Sequence, residues 1–143
     1  MARCPLTALL IVALALPAAA QGHGDPDTGF DLVLARRQEA PPGTDLRVTT
    51  TTVYPCTGYR LRVTTARSGD TIAVDIGGLV RPSPCLPSAD PAEGSVYLGS
   101  FGGGLYHLLV RYRGASDLYQ LRFTTVAARP TALRASFTTL RGY

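Results

Sequence analysis

Short alternations of apolar and polar residues begin at Phe30 and recur to the end of the chain, separated by clusters of glycine, proline, aspartate and serine. A period of two with turn residues at close intervals is typical of antiparallel strands. Glycine and proline interrupt the chain too often for a helix of useful length. The pattern therefore predicts one all-β domain over residues 30–143.

A first hairpin can be registered from the alternation, with its turn at residues 67–70. Pairing Ala66 with Thr71 brings the apolar positions of both strands onto one face, and it places Arg62 opposite Asp75 on the other. A slip of one residue would send all apolar side chains to the wrong face. The agreement between turn and alternation supports the hairpin.

A second hairpin is predicted with its turn at residues 114–117. Pairing Arg113 with Leu118 gathers Tyr and aliphatic side chains on one face, as a sheet with one buried face requires. The opposite face then carries His107, Leu109, Arg111, Gln120 and Arg122.

Further strands are predicted at residues 30–37, 46–54, 95–101 and 132–140, whereas residues 78–94 contain four prolines and predict a long loop. Seven to eight strands at this spacing favour an antiparallel two-sheet sandwich, because a single open sheet would leave one apolar face uncovered.

The first twenty residues have the order of a secretory signal peptide: Arg3, an apolar run over 6–16, Pro17, and three alanines ending at Ala20. The alternative is a membrane anchor, but the run is shorter than the roughly 20 residues that a spanning helix needs. We therefore expect cleavage, a flexible lead-in over 21–29, and a secreted, periplasmic or cell-surface protein with no transmembrane segment in the mature chain.

Cleavage leaves two cysteines, Cys56 and Cys85. Two thiols in an exported protein usually pair, and two cysteines without a nearby histidine make a poor zinc site. The sequence therefore predicts a Cys56–Cys85 disulfide and no bound metal or other cofactor.

All basic residues are arginine, and the mature chain carries thirteen of them against ten acids. This small excess disfavours nucleic acid as a partner, because such proteins concentrate positive charge more strongly.

Candidates for catalysis and metal binding are few. His107 and Ser100 are the nearest His–Ser combination in the sequence, and the alternative is that the intervening glycines form a turn. Asp25, Asp27 and Asp31 have the spacing of the start of a calcium loop, but the distal glutamate of such a loop is missing, so an acidic linker is favoured.

Candidate ligand-binding residues lie on the outward faces of the two hairpins. Arg60 and Arg62 share one outward stripe, and Arg111 and Arg122 share another. Such stripes suit acidic polysaccharide or lipid headgroups. Tyr97 is a candidate surface ring for sugar binding. The alternative is that these charges serve solubility and prevent edge-to-edge association.

The segments Tyr54-Pro55-Cys56 and Tyr59, with Cys85 in a proline-rich stretch and a late Gly104-Leu105-Tyr106 strand, resemble small secreted bacterial domains of immunoglobulin-like or fibronectin-like type. The resemblance covers residues 30–126 and implies an immunoglobulin-like sandwich. It implies no activity, because such folds carry many functions.

These observations favour a non-enzymatic secreted or cell-envelope protein that acts as a binding or structural accessory, with an envelope protein or acidic polysaccharide as partner. One alternative is a carbohydrate-binding module for acidic polysaccharide. Another is an inhibitor of extracellular proteases that presents the 78–94 loop.

Overall fold

The computed structural model describes residues 29–143, which form nine β-strands. The strands are β1 (Phe30–Arg37), β2 (Gly43–Cys56), β3 (Arg60–Ser68), β4 (Thr71–Val80), β5 (Pro87–Gly99), β6 (Gly104–Tyr112), β7 (Ala115–Phe123), β8 (Ala128–Arg134) and β9 (Thr138–Arg141). Within these residues, no helix is long and apolar enough to cross a membrane. The predicted signal peptide and the lead-in up to residue 28 lie outside the described residues.

All nine strands belong to one mixed sheet, in the order β8-β7-β6-β4-β3-β5-β2-β1-β9. Three neighbouring pairs, β1/β9, β3/β5 and β4/β6, are parallel. The sheet is nearly closed, because β8 and β9 at its two ends approach each other and Ala128 N–H donates to the Tyr143 carbonyl at 3.0 Å. The prediction of an antiparallel two-sheet sandwich was therefore wrong, although the all-β class is confirmed.

The physical reason lies in how the apolar face is covered. One set of alternating side chains points inward from most strands, and its members, including Leu32, Val48, Ile72 and Leu108, are fully buried. A second sheet would cover such a face in a sandwich. Here the sheet coils until its own inner face encloses the core, giving a barrel-like shape.

Both hairpins have the predicted faces but tighter turns. Ser68 pairs with Thr71 in the first, and Tyr112 pairs with Ala115 in the second, where Arg113 and Gly114 have φ values of 48° and 81°. Two-residue turns with positive φ match the twist of the strands they join. The predicted register of the second hairpin was wrong by four residues, and that of the first by two residues from Val63 to Ser68; both shifts are even and preserve the faces. An irregularity between Leu61 and Val63 then pairs Leu61 with Leu79 instead of the predicted Ile76.

Two segments differ from the predicted elements. Most of residues 78–94 is strand, and only residues 81–86 connect β4 to β5. β5 accommodates its prolines because its pairing with β2 is irregular at Pro87 and Pro91. The single strand predicted over 132–140 is two strands, β8 and β9, separated where the backbone of Ser136 turns inward to the carboxylate of Asp117.

The predicted disulfide is confirmed. Cys56, at the end of β2, is bonded to Cys85 in the β4–β5 connection, with 5.3 Å between their Cα atoms. Thr57 N–H also donates to the Leu86 carbonyl at 3.0 Å, so a backbone hydrogen bond beside the disulfide also holds the connection against the β2–β3 turn. A disulfide is compatible with an extracellular protein.

Candidate anion-binding surface

Positive charge is concentrated in the last four strands. Residues 29–103 contain seven arginines and seven acids, whereas residues 104–143 contain six arginines and a single acid, Asp117. Asp117 is completely buried. Strands β6, β7 and β8 are neighbours in the sheet, and β9 reaches β8 at the closure. The sequence bias therefore becomes one continuous basic face, which we call the arginine face.

The centre of the arginine face is a row across three strands. Arg122 on β7 lies directly opposite Leu105 on β6 and Arg129 on β8, and all three side chains are exposed. Like charges directly opposite each other destabilise a sheet. Neither arginine forms an ion pair within residues 29–143. An anion bound beside the pair would relieve this repulsion.

Two more arginines extend this face. Arg141 points outward from β9, opposite the outward Val33, and is exposed. Arg134, near the other end of β8, donates to the carbonyl and hydroxyl oxygens of Ser116 at 3.2 and 2.8 Å, which fixes its guanidinium against β7. The face therefore spans the width from β7 to β9.

Arg111, which the sequence grouped with Arg122, is not an unpaired arginine. Its Nε and Nη2 donate to the two carboxylate oxygens of Asp75 at 2.7 and 2.6 Å. The side-chain hydrogen bond to Asp75 and the negative charge of that carboxylate raise the pKa of Arg111 above its ordinary value. The sequence expected Asp75 to face Arg62, but parallel pairing of β4 with β6 places it beside Arg111.

The other predicted ligand-binding residues lie elsewhere. Arg60 and Arg62 are exposed on β3, in the charge-balanced part of the chain. Tyr97 on β5 is half-buried, with the Arg37 guanidinium 5.3 Å from its ring centroid and its hydroxyl donating to the Pro42 carbonyl at 3.0 Å. Its ring is therefore already partly covered by Arg37.

Arginine also covers the aromatic rings at one end of the sheet. The Arg67 guanidinium lies 5.1 Å from the Phe101 ring centroid and 5.3 Å from that of Tyr106. Phe101 in turn stacks on Phe123 at 4.3 Å. These contacts close the end of the core with cation–π pairs, which are favourable at partly exposed sites.

The structure does not bring the candidate catalytic or metal-binding residues together into a site. The Ser100 hydroxyl donates to the Pro42 carbonyl and shares a 3.2 Å hydrogen bond with the Tyr97 hydroxyl, whereas His107 lies on the outward face of β6. Asp31 lies on β1, and Asp25 and Asp27 lie outside the described residues. Within residues 29–143, no group of three or more His, Cys, Asp or Glu side chains is placed to hold a metal ion.

A buried carboxylate was missed by the sequence reasoning, which placed Asp117 in a turn. Its Oδ1 accepts hydrogen bonds from the amide and hydroxyl of Ser136, both at 2.8 Å. Its Oδ2 accepts from the amides of Phe137 and Thr138 and from the Thr138 hydroxyl at 3.0, 2.9 and 2.6 Å. Asp117 therefore anchors the start of β9 to β7.

Arg129 was missed as well, because the predicted last strand began at residue 132, after it. The signal that finds it is the composition of the last forty residues, which contain six arginines and a single acid. Comparison of the chain with protein-family models, with curated proteins and with solved structures found no match.

Proposed function

We propose that this chain acts by binding, as a secreted or cell-envelope accessory protein that attaches to acidic polysaccharide through the arginine face. The observation that carries the proposal is the partition of charge: a balanced part over residues 29–103 and a basic part over 104–143 whose one acid is buried. Arginine binds carboxylate and sulfate-like groups through paired hydrogen bonds as well as by charge.

The extent of the face favours a polymer over a single small anion. Arg122 and Arg129 are adjacent, and Arg141 lies on the far side of the closure between β8 and β9. Neighbouring strands lie about 4.8 Å apart, so arginines on several strands can each contact a different anionic group of one polysaccharide. Several weak contacts on one chain act together and raise the overall affinity.

The test is binding of the exported, disulfide-bonded protein to immobilised polygalacturonate and dextran sulfate, with neutral dextran as the reference. We expect saturable binding to the acidic polymers alone, and weaker binding when the salt concentration rises to about 0.15 M, where charges are screened beyond about 8 Å.

Matched variants separate a located site from overall charge. Arg122→Gln with Arg129→Gln removes two charges from the arginine face, and Arg62→Gln with Arg81→Gln removes two exposed charges from the balanced part. We expect the first pair to weaken binding by roughly tenfold or more, since about 1.4 kcal/mol corresponds to a factor of ten, and the second pair to leave it nearly unchanged.

Two outcomes would contradict the proposal. Equal losses from both pairs of substitutions would mean that net charge alone attracts the polymer. Binding to phosphatidylglycerol vesicles without binding to either acidic polymer would assign the face to anionic lipid instead.

A further inference from the structure

A polar groove of about 830 Å³ lies in the balanced part of the chain, away from the arginine face. It forms where β3 and β5 pair through a single residue pair, Arg60 with Glu93, so that the ladder between these two strands is short. Its charged and aromatic lining comes from Asp45, Arg47, Tyr59, Arg60, Asp90 and Glu93. The volume lies within the range of small-molecule sites.

Side chains of both charges line this groove without a salt bridge between them. Arg47, Arg60 and Glu93 are exposed, Asp90 is half-buried, and none of these four forms an ion pair within residues 29–143. Asp45 alone has a cationic partner, Arg37, at 3.7 Å. The groove therefore offers a ligand two guanidinium groups and two carboxylates that form no salt bridge with one another.

Its walls are fixed by backbone contacts. A Cβ on Gly94 would lie 2.7 Å from Val63 Cγ2 and 2.8 Å from the Leu61 carbonyl, so glycine permits β5 to approach β3 closely here. Glu93 N–H donates to the Tyr59 carbonyl at 3.3 Å. The disulfide holds the turn that follows Cys56, which forms the adjoining wall.

We propose that the groove binds a small zwitterion, a molecule carrying an ammonium group together with a carboxylate or phosphate. An anion alone is attracted by the arginines and repelled by the carboxylates, and a cation alone meets the reverse. A zwitterion satisfies both sets at once, with its acidic group at Arg47 and Arg60 and its ammonium at Asp90 and Glu93. Charge-assisted hydrogen bonds of this kind are roughly twice as strong as neutral ones.

The test is a titration of the exported, disulfide-bonded protein with 6-aminohexanoate, followed by the amide signals in two-dimensional NMR. Hexanoate and hexylammonium, each with one of the two charges, are the matched ligands, and O-phosphoethanolamine tests phosphate in place of carboxylate. We expect saturable shifts confined to residues 45–47, 57–61 and 90–95, with at least one zwitterion binding roughly tenfold more tightly than either singly charged ligand.

Two variants identify which side chain meets which charge of the ligand, and a third is their control. In Arg60→Gln we expect 6-aminohexanoate to bind no better than hexylammonium, and in Glu93→Gln no better than hexanoate, because each variant removes one half of the recognition. Arg62→Gln, an exposed arginine two residues along β3 that does not line the groove, is the matched control and should bind as the wild type does.

The proposal is overturned if neither zwitterion gives saturable shifts in the groove up to about 50 mM, or if the singly charged ligands bind equally well. It is also overturned if both Arg60→Gln and Glu93→Gln retain wild-type affinity. Polymer binding at the arginine face uses different residues, so either proposal can fail while the other stands.

Discussion

The carboxylate of Asp117 connects two strands that are far apart in the sheet order, and its replacement by asparagine tests that role. Asp117 lies on β7, and the five hydrogen bonds it accepts come from Ser136, Phe137 and Thr138 at the start of β9. Asparagine keeps the shape but has one acceptor oxygen instead of two. Its amide nitrogen would face donors at the other position.

The expected loss can be worked from the donors left without an acceptor. If the asparagine oxygen replaces Oδ1, the amides of Phe137 and Thr138 lose their acceptor, and if it replaces Oδ2, the amide and hydroxyl of Ser136 do. A buried donor without a partner costs about 1–3 kcal/mol. Two such donors, partly rescued by water where the site is less buried, give a loss of roughly 2–4 kcal/mol, a large share of the stability of a small domain.

The same carboxylate gives a pH dependence with a definite sign. Burial raises the pKa of Asp117, but hydrogen bonds from Thr138, Phe137 and Ser136 outweigh burial, so the pKa lies below its ordinary value. The stabilisation is therefore complete above the unfolded pKa of about 3.9, and it is lost as the pH falls through the lower folded pKa. We expect the difference in unfolding free energy between wild type and Asp117→Asn to be constant near neutrality and to shrink below about pH 4.

Urea unfolding, followed by far-ultraviolet circular dichroism at several pH values, measures both effects. Asp75→Asn is the matched control, because that carboxylate is half-exposed and its pairing with Arg111 is open to solvent. Its unfolding midpoint should lie close to that of the wild type. An Asp117→Asn midpoint equal to the wild type at neutral pH, or a difference that does not diminish in acid, would refute the reasoning.

Two further predictions concern the disulfide and the closure of the sheet. Cys56→Ser with Cys85→Ser should lower the free energy of unfolding by about 3.5 kcal/mol, since the disulfide closes a loop of 29 residues. A reductant should cause the same loss of stability in the wild type and no loss in the variant. Gly142→Ala should lower the midpoint of thermal unfolding, because a Cβ there would overlap the Ala128 carbonyl oxygen at the β8–β9 closure. Gly102→Ala is the control and should leave the midpoint unchanged, because a Cβ there meets open space. Equal midpoints for the two variants would contradict this account.

Alternation along the strands was sufficient to predict which side chains face the core, but it could not predict register. Val110 and Tyr119 are buried as the pattern requires, although the turn is tighter than predicted. A register shift by an even number of residues leaves every side chain on the same face, so only the turn determines the register. Here the turn is Arg113-Gly114, with positive φ at both residues. It places Asp117 opposite Val110 on the inner face. The register therefore makes Asp117, which the sequence placed in the turn, a buried residue that anchors β9.

The closure of the sheet depends on pairings between strands distant in the chain, and no local pattern reveals them. β1 pairs with β9, whose residues follow more than a hundred positions later, and β4 pairs in parallel with β6. The candidate site was predicted only as far as local strands allowed. Arg122 was recognised as outward-facing, but its neighbour Arg129 depended on the start of β8, and the partner of Arg111 depended on the β4–β6 pairing.

The arginine face exists because chain order and sheet order coincide in the last strands. β6, β7 and β8 follow one another as hairpins and lie side by side, and β9 closes against β8, so a bias in the composition of forty residues becomes a bias of one surface. In a sandwich whose successive strands cross between sheets, the same arginines would be divided between two opposite faces. The one acid in this stretch, Asp117, points inward because of the hairpin register. Its carboxylate accepts hydrogen bonds from the start of β9 and does not reach the surface, so it cannot neutralise the arginines there. The residue that secures the closure thus also leaves the arginine face without a counter-charge.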